Sequence, residues 1–451
     1  MSIIEKLRSL SGNTKVIAKN TLYAFAIKGV ALLVSFISMP LFIRYFNNNT
    51  ILGLWFTLIS VLFWVISFDF GISNGMRNHL VKALTNNDKP KARQVVSSGI
   101  ACSIATTAAL TIAGTILIFT LDLNYIFNIS PAEISGTTLL MATLIMFAAI
   151  MLRFMLNTVT SIYYALQRSA VNNFLMLCVN TLQMLFVLIF RFDNAEEALL
   201  YAACAYFVIS NLPLVIAGIA AFCRELRECR PHPSYVDSAT TRQIMSIGGI
   251  FFVCQILFAV IVFTNEFFVS HFWTPEDTSD YTFYYKVSLL AANVVTLAMA
   301  PTWSMVTKAY TEKNYKWLGS LYRNFKRILW PIILIQIAII PFLGPIFNIW
   351  LGKGIVEVNY LTAFAFACFA VGYTYNSMLS TIVFGLGRMR VQLWCYTIGC
   401  ALKVALIVII SRFSDNWTWV VWSNVMILVP YCIFQQLSLN RFIGRLEARA
   451  E

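Results

Sequence analysis

Long apolar runs, separated by short polar connections, are the main pattern along the 451-residue chain. A helix needs about 20 mostly apolar residues to cross the hydrocarbon core of a bilayer. Runs of that length occupy residues 20–43, 51–73, 94–119, 137–162, 171–190, 198–222, 244–271, 281–306, 328–349, 358–384, 391–411 and 417–438. The pattern therefore predicts an all-α polytopic membrane protein with about 12 transmembrane helices.

Basic residues are distributed unequally between alternate connections. If the N-terminus is cytoplasmic, the cytoplasmic segments hold 25 of the 33 Lys and Arg residues, and four more lie within spans. The loops on the other side hold only Arg44, Arg191, Lys353 and Arg412. Cytoplasmic loops of membrane proteins carry an excess of Lys and Arg. The distribution predicts a multi-pass inner-membrane protein with both termini in the cytoplasm.

Three features recur in the same order after about half of the chain. They are the segments 82–85 and 308–311, the segments 166–172 and 386–392, and the in-span residues Pro213 and Pro430. Their offsets of 226, 220 and 217 residues drift slowly, as expected after an ancient duplication. Since both halves would start in the cytoplasm with six spans, they are predicted to be parallel repeats that rock to give alternating access.

The predicted organisation follows from this repeat. It comprises an interfacial N-terminal segment (1–19), an N-terminal six-helix lobe (20–222), a cytoplasmic linker (223–243), a C-terminal six-helix lobe (244–438) and a cytoplasmic tail (439–451).

Composition narrows the class of function. Only 12% of the residues are charged, against about 25% in soluble proteins, so most of the surface is expected to face membrane lipids. The net charge of +13 resides in short loops, which argues against a nucleic-acid partner. No GxxxxGK[ST] phosphate loop occurs, and Cys and His never take metal-ligand spacing. We therefore predict no cofactor, no metal and no enzymatic activity.

Two segments resemble the bacterial O-antigen and polysaccharide flippases (Wzx-type) of the multidrug/oligosaccharidyl-lipid/polysaccharide exporter (MOP) superfamily. They are Gly53-Leu54-Trp55 through Asp69-Phe70-Gly71-Ile72-Ser73-Asn74-Gly75-Met76-Arg77-Asn78, and Tyr164-Ala165-Leu166-Gln167-Arg168. The resemblance implies transfer of an undecaprenyl-pyrophosphate-linked oligosaccharide from the cytoplasmic to the periplasmic leaflet. It also makes a polysaccharide polymerase and a chain-length regulator candidate partners.

Charges within the spans are the first candidates for a site, because a charge at the bilayer centre costs about 2.5–3.5 kcal/mol on insertion scales. The four cations are Lys28, Arg153, Lys286 and Lys403. Together with two in-span carboxylates they leave a positive surplus that suits a pyrophosphate, so we predict that they line a cationic substrate cavity. The competing interpretations are snorkelling to an interface for Lys28 and Lys286, and a structural ion pair for Lys403.

The remaining candidates concern gating and coupling. Asp69 and Arg77 lie about two helical turns apart and form either a cytoplasmic gate or a structural pair. Between them, Gly71 and Gly75 offer a small-residue face to another helix. Glu266 is the candidate for a coupling ion or proton, or else an interfacial carboxylate.

The function predicted from the sequence is thus a flippase for a lipid-linked oligosaccharide. Tyr373 and Tyr375 are candidates for stacking on sugar faces. The alternatives are a multidrug or small-molecule exporter of the same superfamily, for which a cation-exporting cavity should be acidic, and a membrane polysaccharide polymerase or ligase, which needs a larger outside loop.

Topology provides the first test. In a cysteine-free background, a cysteine at position 353 should react with an impermeant reagent from the periplasm, whereas Arg230→Cys should react only after the inner membrane is permeabilised. Labelling of position 353 only after permeabilisation would contradict the predicted topology.

Overall fold

The structure, a computed structural model, describes most of the chain after residue 70. The described residues are 26, 27, 29–31, 34, 37, 38, 41, 42, 44–48, 51, 52, 54, 55, 58, 59, 71–127, 129–131, 133–273, 275–350 and 356–448. Lys28, Asp69 and Lys353 lie outside this set. The chain divides into two compact units, Met1–Gly249 and Ile250–Glu451.

The first unit is built of long helices with two 3₁₀ turns near its end. Its continuously described elements are α1 (Ile72–Thr85), α2 (Lys89–Thr120), α3 (Leu123–Phe127), α4 (Gly136–Ala165), α5 (Ser169–Ile189), α6 (Ala195–Cys223), the turns Arg227–Cys229 and Pro233–Tyr235, and the start of α7 (Ser238–Val262). Side chains that accept from backbone N–H groups begin several helices: Asp88 caps α2, Ser135 caps α4 and Asn194 caps α6.

The second unit contains the rest of α7 and eight further helices. They are α8 (Asn265–Phe272), α9 (Pro275–Ser288), α10 (Leu290–Thr311), α11 (Tyr315–Ile339), α12 (Leu343–Trp350), α13 (Tyr360–Leu386), α14 (Arg390–Ile410) and α15 (Trp419–Ala448). A 3₁₀ turn, Ile340–Phe342, joins α11 to α12. Helix α13 lies at the centre of this unit, where it packs against α10, α11 and α15.

From α2 onward the long helices coincide with the predicted spans, although some extend beyond them, as α11 does from Tyr315 and α15 does to Ala448. Within the described residues, nine helical stretches are long and apolar enough to cross a membrane. Three predicted spans are each made of two helices: residues 244–271 hold α7 and α8, residues 281–306 hold α9 and α10, and residues 328–349 hold α11 and α12. The hydropathy pattern missed these breaks because the interrupting residues are few and the apolar character continues on both sides.

The internal repeat extends to backbone geometry. Asn87 and Lys313, which follow α1 and α10, have φ angles of 54° and 57°. Gln167 and Gly387, which follow α4 and α13, have φ angles of 60° and 69°. These left-handed positions recur at the sequence offsets of 226 and 220 residues. The same tight turn therefore ends the corresponding helices in each half.

The segment between α6 and α7 is anchored to the start of α2. The guanidinium of Arg93 lies 3.9 Å from the ring centroid of Tyr235. Backbone N–H groups of His232 and Asp237 donate to Ser97 Oγ (3.1 Å) and Ser98 Oγ (3.0 Å). Hydrogen bonds from Thr240 hold the pKa of Asp237 below its usual range. The predicted linker is thus an ordered part of the first unit.

The predicted small-residue face of α1 is confirmed. Gly71 and Gly75 face the first turns of α7, where a Cβ on Gly75 would lie 2.4 Å from the carbonyl oxygen of Ile244. A Cβ on Gly248 would lie 2.6 Å from the oxygen of Gly71. Two helix backbones can approach this closely only where side chains are absent.

Adjacent glycines of α7 test this contact. Gly248→Ala should destabilise the protein by about 1–3 kcal/mol, because the new methyl group meets a backbone oxygen that cannot move aside. Gly249→Ala should be neutral or stabilising by up to about 1 kcal/mol, since nothing lies within 4 Å of a Cβ there. Thermal unfolding of the two purified variants measures the difference, and equal effects would contradict the close packing.

Candidate functional site

A cavity of about 220 Å³ lies within the second unit, among α7, α10, α13 and α14. Its aromatic lining residues are Phe258, Trp303, Tyr373, Phe384 and Tyr396. Its polar lining residues are Gln255, Asn376, Ser377, Ser380, Thr381 and Gln392. No charged residue is among the described residues that line it. The cavity therefore combines aromatic faces with neutral hydrogen-bonding groups.

The polar groups of one wall form a connected network. Gln392 Nε2 donates to Ser380 Oγ (3.0 Å) and to the hydroxyl of Tyr396 (3.1 Å). The Tyr396 hydroxyl in turn donates to Asn376 Oδ1. Because each of these side chains is held by another, their positions are fixed before any ligand arrives.

Two acceptor atoms of residues that line the cavity have no donor within the described part of the chain. The side-chain oxygens Gln255 Oε1 and Gln392 Oε1 are buried and lack a hydrogen-bond partner among the described residues. Gln392 as a whole is only 1% exposed. Buried polar atoms are nearly always hydrogen-bonded in native proteins. The two oxygens are exceptions within the described part of the chain, and each is enclosed by protein atoms rather than open to the cavity.

Lys403 lies on the same face of α14 as Gln392 and Tyr396, and it is completely buried. Its ammonium donates to the carbonyl oxygen of Ile261, to Asn265 Oδ1, and to Asn424 Oδ1 at 2.9 Å. All of these partners are neutral. Among the described residues, Lys403 therefore forms no ion pair, which is the alternative predicted for it. A role for Lys403 in substrate binding stays a prediction.

Arg153 lies half-buried on α4 in the first unit. Its Nη1 donates to the backbone oxygen of Ser210 on α6, three residues before Pro213. Pro213 has no N–H to donate to the carbonyl of Ile209, so the hydrogen bonding of α6 is interrupted next to Ser210. Asn211 adds a second link between the helices, from Nδ2 to the oxygen of Ala149 at 3.0 Å. The guanidinium is thus held at the α4–α6 contact.

The other predicted site residues occupy separate places. Lys286 is exposed on α9, and Glu266 is exposed on α8, where it accepts a hydrogen bond from Thr282 at 3.3 Å. In the second unit, the described contacts therefore do not bring Lys286 and Lys403 together. Arg77 is buried, 3% exposed, with its guanidinium 4.5 Å from the ring centroid of Tyr164. Lys28 and Asp69 lie outside the described residues.

The neutral residues of the cavity were not identified from the sequence, although a signal exists. Tyr373, Asn376, Ser377, Ser380 and Thr381 recur at intervals of three and four residues, which places them on one face of a helix. None of these residues is charged, so the high cost of placing a charge within a span does not mark them. Tyr373 is the cavity residue predicted from the sequence, whereas Tyr375 points elsewhere and donates to Gln436 Oε1 at 2.6 Å.

Comparison with solved structures places the chain in a known fold. An outward-facing multidrug resistance MATE family transporter of the MOP superfamily is 15% identical, with a TM-score of 0.73 and coverage of 99% of both chains. A Vibrio cholerae MATE transporter in the bent form is 12% identical, with a TM-score of 0.73, covering 96% of this chain and 99% of that one.

A third similar structure is a MOP superfamily transporter from Pyrococcus furiosus, whose binding pocket is described as having reverse polarity that suggests a different function. It is 14% identical, with a TM-score of 0.71 and 97% coverage of both chains. No protein-family model and no curated protein sequence matches this chain. The likeness establishes the fold, and it confirms the prediction of an all-α polytopic membrane protein.

The two segments that carry the sequence resemblance meet at Arg77 and Tyr164, which can be tested with two neighbouring tyrosines. Tyr164→Phe should leave stability unchanged, because the ring face contacts the guanidinium, whereas Tyr164→Leu should cost about 0.5–2 kcal/mol. Tyr163→Phe should cost about 1 kcal/mol, since the Tyr163 hydroxyl donates to the oxygen of Ala217 at 2.9 Å. Unfolding of the purified variants gives the ranking, and a larger loss for Tyr164→Phe than for Tyr164→Leu would contradict it.

Proposed function

We propose that the protein is a flippase that carries a lipid-linked oligosaccharide across the membrane by alternating access, and that the cavity of the second unit contacts the glycan. The observation that supports this most strongly is the composition of the cavity lining. Aromatic rings and carboxamides surround the space, and the described lining residues contain no charge.

This lining matches the chemistry of a sugar. A pyranose ring has C–H-rich faces that pack on aromatic rings and hydroxyl groups that donate and accept hydrogen bonds. Trp303 and Tyr373 supply ring surface, and the carboxamides and hydroxyls of the lining supply hydrogen-bonding groups. A sugar can engage both kinds of group, whereas a purely apolar ligand would engage only the rings.

A multidrug exporter is the second candidate, and the shared fold favours it equally. A cavity for cationic drugs should present carboxylates, because a buried cation needs a counter-charge. None is found among the described residues of this cavity. The Pyrococcus furiosus transporter, whose pocket is described as having reverse polarity, shows that the fold accommodates pockets of different character.

The anionic part of the substrate requires a different group. We propose Arg153 for it, because a guanidinium has five N–H donors and can hold two phosphate oxygens at once. One of its donors is used by the Ser210 carbonyl. The half-buried position of Arg153 leaves part of the side chain accessible.

Two tyrosines of α13 test the glycan proposal. Tyr373→Ala should lower surface polysaccharide about tenfold, which corresponds to a loss of ~1.4 kcal/mol, and Tyr373→Trp should retain most activity because ring surface remains. Tyr375→Ala is the matched control, since Tyr375 does not line this cavity. Surface polysaccharide and membrane abundance of the protein are to be measured in the same deletion-strain cells.

The double variant Trp303→Ala, Tyr373→Ala gives the decisive result. Wild-type polysaccharide at wild-type abundance would remove the cavity from the transport pathway. If polysaccharide were unchanged while susceptibility to a panel of drugs rose, the multidrug exporter would replace the flippase as the better assignment.

A further inference from the structure

We propose that the break between α7 and α8 is a binding site for a monovalent cation and that the chain fills this site with the ammonium group of Lys403. Shortening the side chain should then leave a vacant site that takes ammonium or methylammonium. The proposal concerns the second unit alone and does not depend on the identity of the transported substrate.

Neutral oxygens surround the ammonium on several sides. Ile261 and Val260 contribute backbone carbonyls, the latter at 3.5 Å, and Asn265 and Asn424 contribute carboxamide oxygens. Lys403 is 0% exposed, and Asn424 is 0% exposed. The described contacts include no carboxylate. A buried cation that is paired with no anion is expensive in a bilayer, so its oxygens must replace the solvation it has lost.

The end of a helix explains why these oxygens converge. The last carbonyl groups of α7 have no partner within the helix, and they carry the negative end of its dipole. Asn265 Nδ2 donates to the backbone oxygen of Val262 at 2.9 Å, and Thr264 Oγ1 donates to the backbone oxygen of Val260. The oxygen of Ile261 is left to Lys403. With the Lys403 ammonium in place, each of these three carbonyl oxygens at the end of α7 has a hydrogen-bond donor.

Carbonyl and carboxamide oxygens around a single positive charge are the ligands that proteins use for unhydrated monovalent cations. The filters of K⁺ channels replace a hydration shell with such carbonyls. An ammonium ion has three or more N–H donors to direct at the oxygens, and the Lys403 ammonium uses its donors in the same way. Because the chain supplies its own cation, the contacts at the α7–α8 junction should not depend on which salts are present.

The test compares the thermal unfolding of purified full-length variants in different salts. Lys403→Ala should unfold about 5 °C or more below wild type in N-methylglucamine chloride, and about 100 mM ammonium or methylammonium chloride should recover at least a third of that loss. Wild type and Lys286→Ala should show no such salt dependence, because Lys286 is exposed. An Ala variant that is destabilised but gains no more from these ions than from N-methylglucamine would overturn the proposal.

Lys403→Met separates the charge from the volume. The methionine side chain has similar length and no charge, so it should lower the unfolding temperature while its methyl group blocks rescue by added ions. If Lys403→Met were as stable as wild type, the site would not require a cation and the proposal would be wrong.

Asn424→Asp provides a test that does not remove the lysine. Asn424 Nδ2 has no acceptor among the described residues, so the substitution removes an unpaired donor and places a negative charge beside the ammonium. It should be tolerated or stabilising in wild type and strongly destabilising in the Lys403→Met background. Equal effects in both backgrounds would show that no positive charge acts at this position.

Discussion

A helix that breaks inside a bilayer must find partners for the carbonyl groups at the break, because no water reaches them there. The same constraint applies where α7 ends at Val262 and α8 begins at Asn265, since Ile261, Asn265 and Lys403 are all buried there. Lys403 donates to the helix end and at the same time to Asn424 on α15. This one side chain on α14 thus joins the α7–α8 junction to α15. Without it, the Ile261 carbonyl and two carboxamide oxygens would be left without their donor.

The cavity depends on the same contact. Gln255 and Phe258 line it from α7, within two turns of the break, and Gln392 and Tyr396 line it from α14. The buried residues of α14 are Gln392, Tyr396, Gly399, Lys403 and Ile407, which form a single stripe along the helix. The polar wall of the cavity and the lysine are therefore consecutive parts of one helix face. Fixing Lys403 at the end of α7 also fixes the distance between two walls of the cavity.

The sequence predicted much of the fold but little of this arrangement. Hydropathy predicts the spans, and glycine spacing predicts the small-residue contact of Gly71 and Gly75, because both patterns are visible in a short stretch of chain. The repeat is visible because short segments recur in the same order in both halves. The partners of Lys403 are two backbone carbonyls and two carboxamides, and Ile261 lies 142 residues away. A carbonyl oxygen leaves no mark in the sequence, so the charge could be noticed while its environment could not. The neutral cavity is hard to predict for a related reason, because carboxamides and hydroxyls are less costly to bury than charges and stand out less within an apolar span.

The two halves have diverged at corresponding positions in a way that bears on the proposed substrate. With the offset of 220 residues that relates the ends of α4 and α13, Arg153 corresponds to Tyr373. One half carries a guanidinium held beside a proline-interrupted helix, and the other carries an aromatic ring on the wall of a neutral cavity. A lipid-linked glycan has an anionic pyrophosphate at one end and neutral sugars at the other. The two corresponding positions therefore carry different chemistry, and each matches one part of the substrate that we propose.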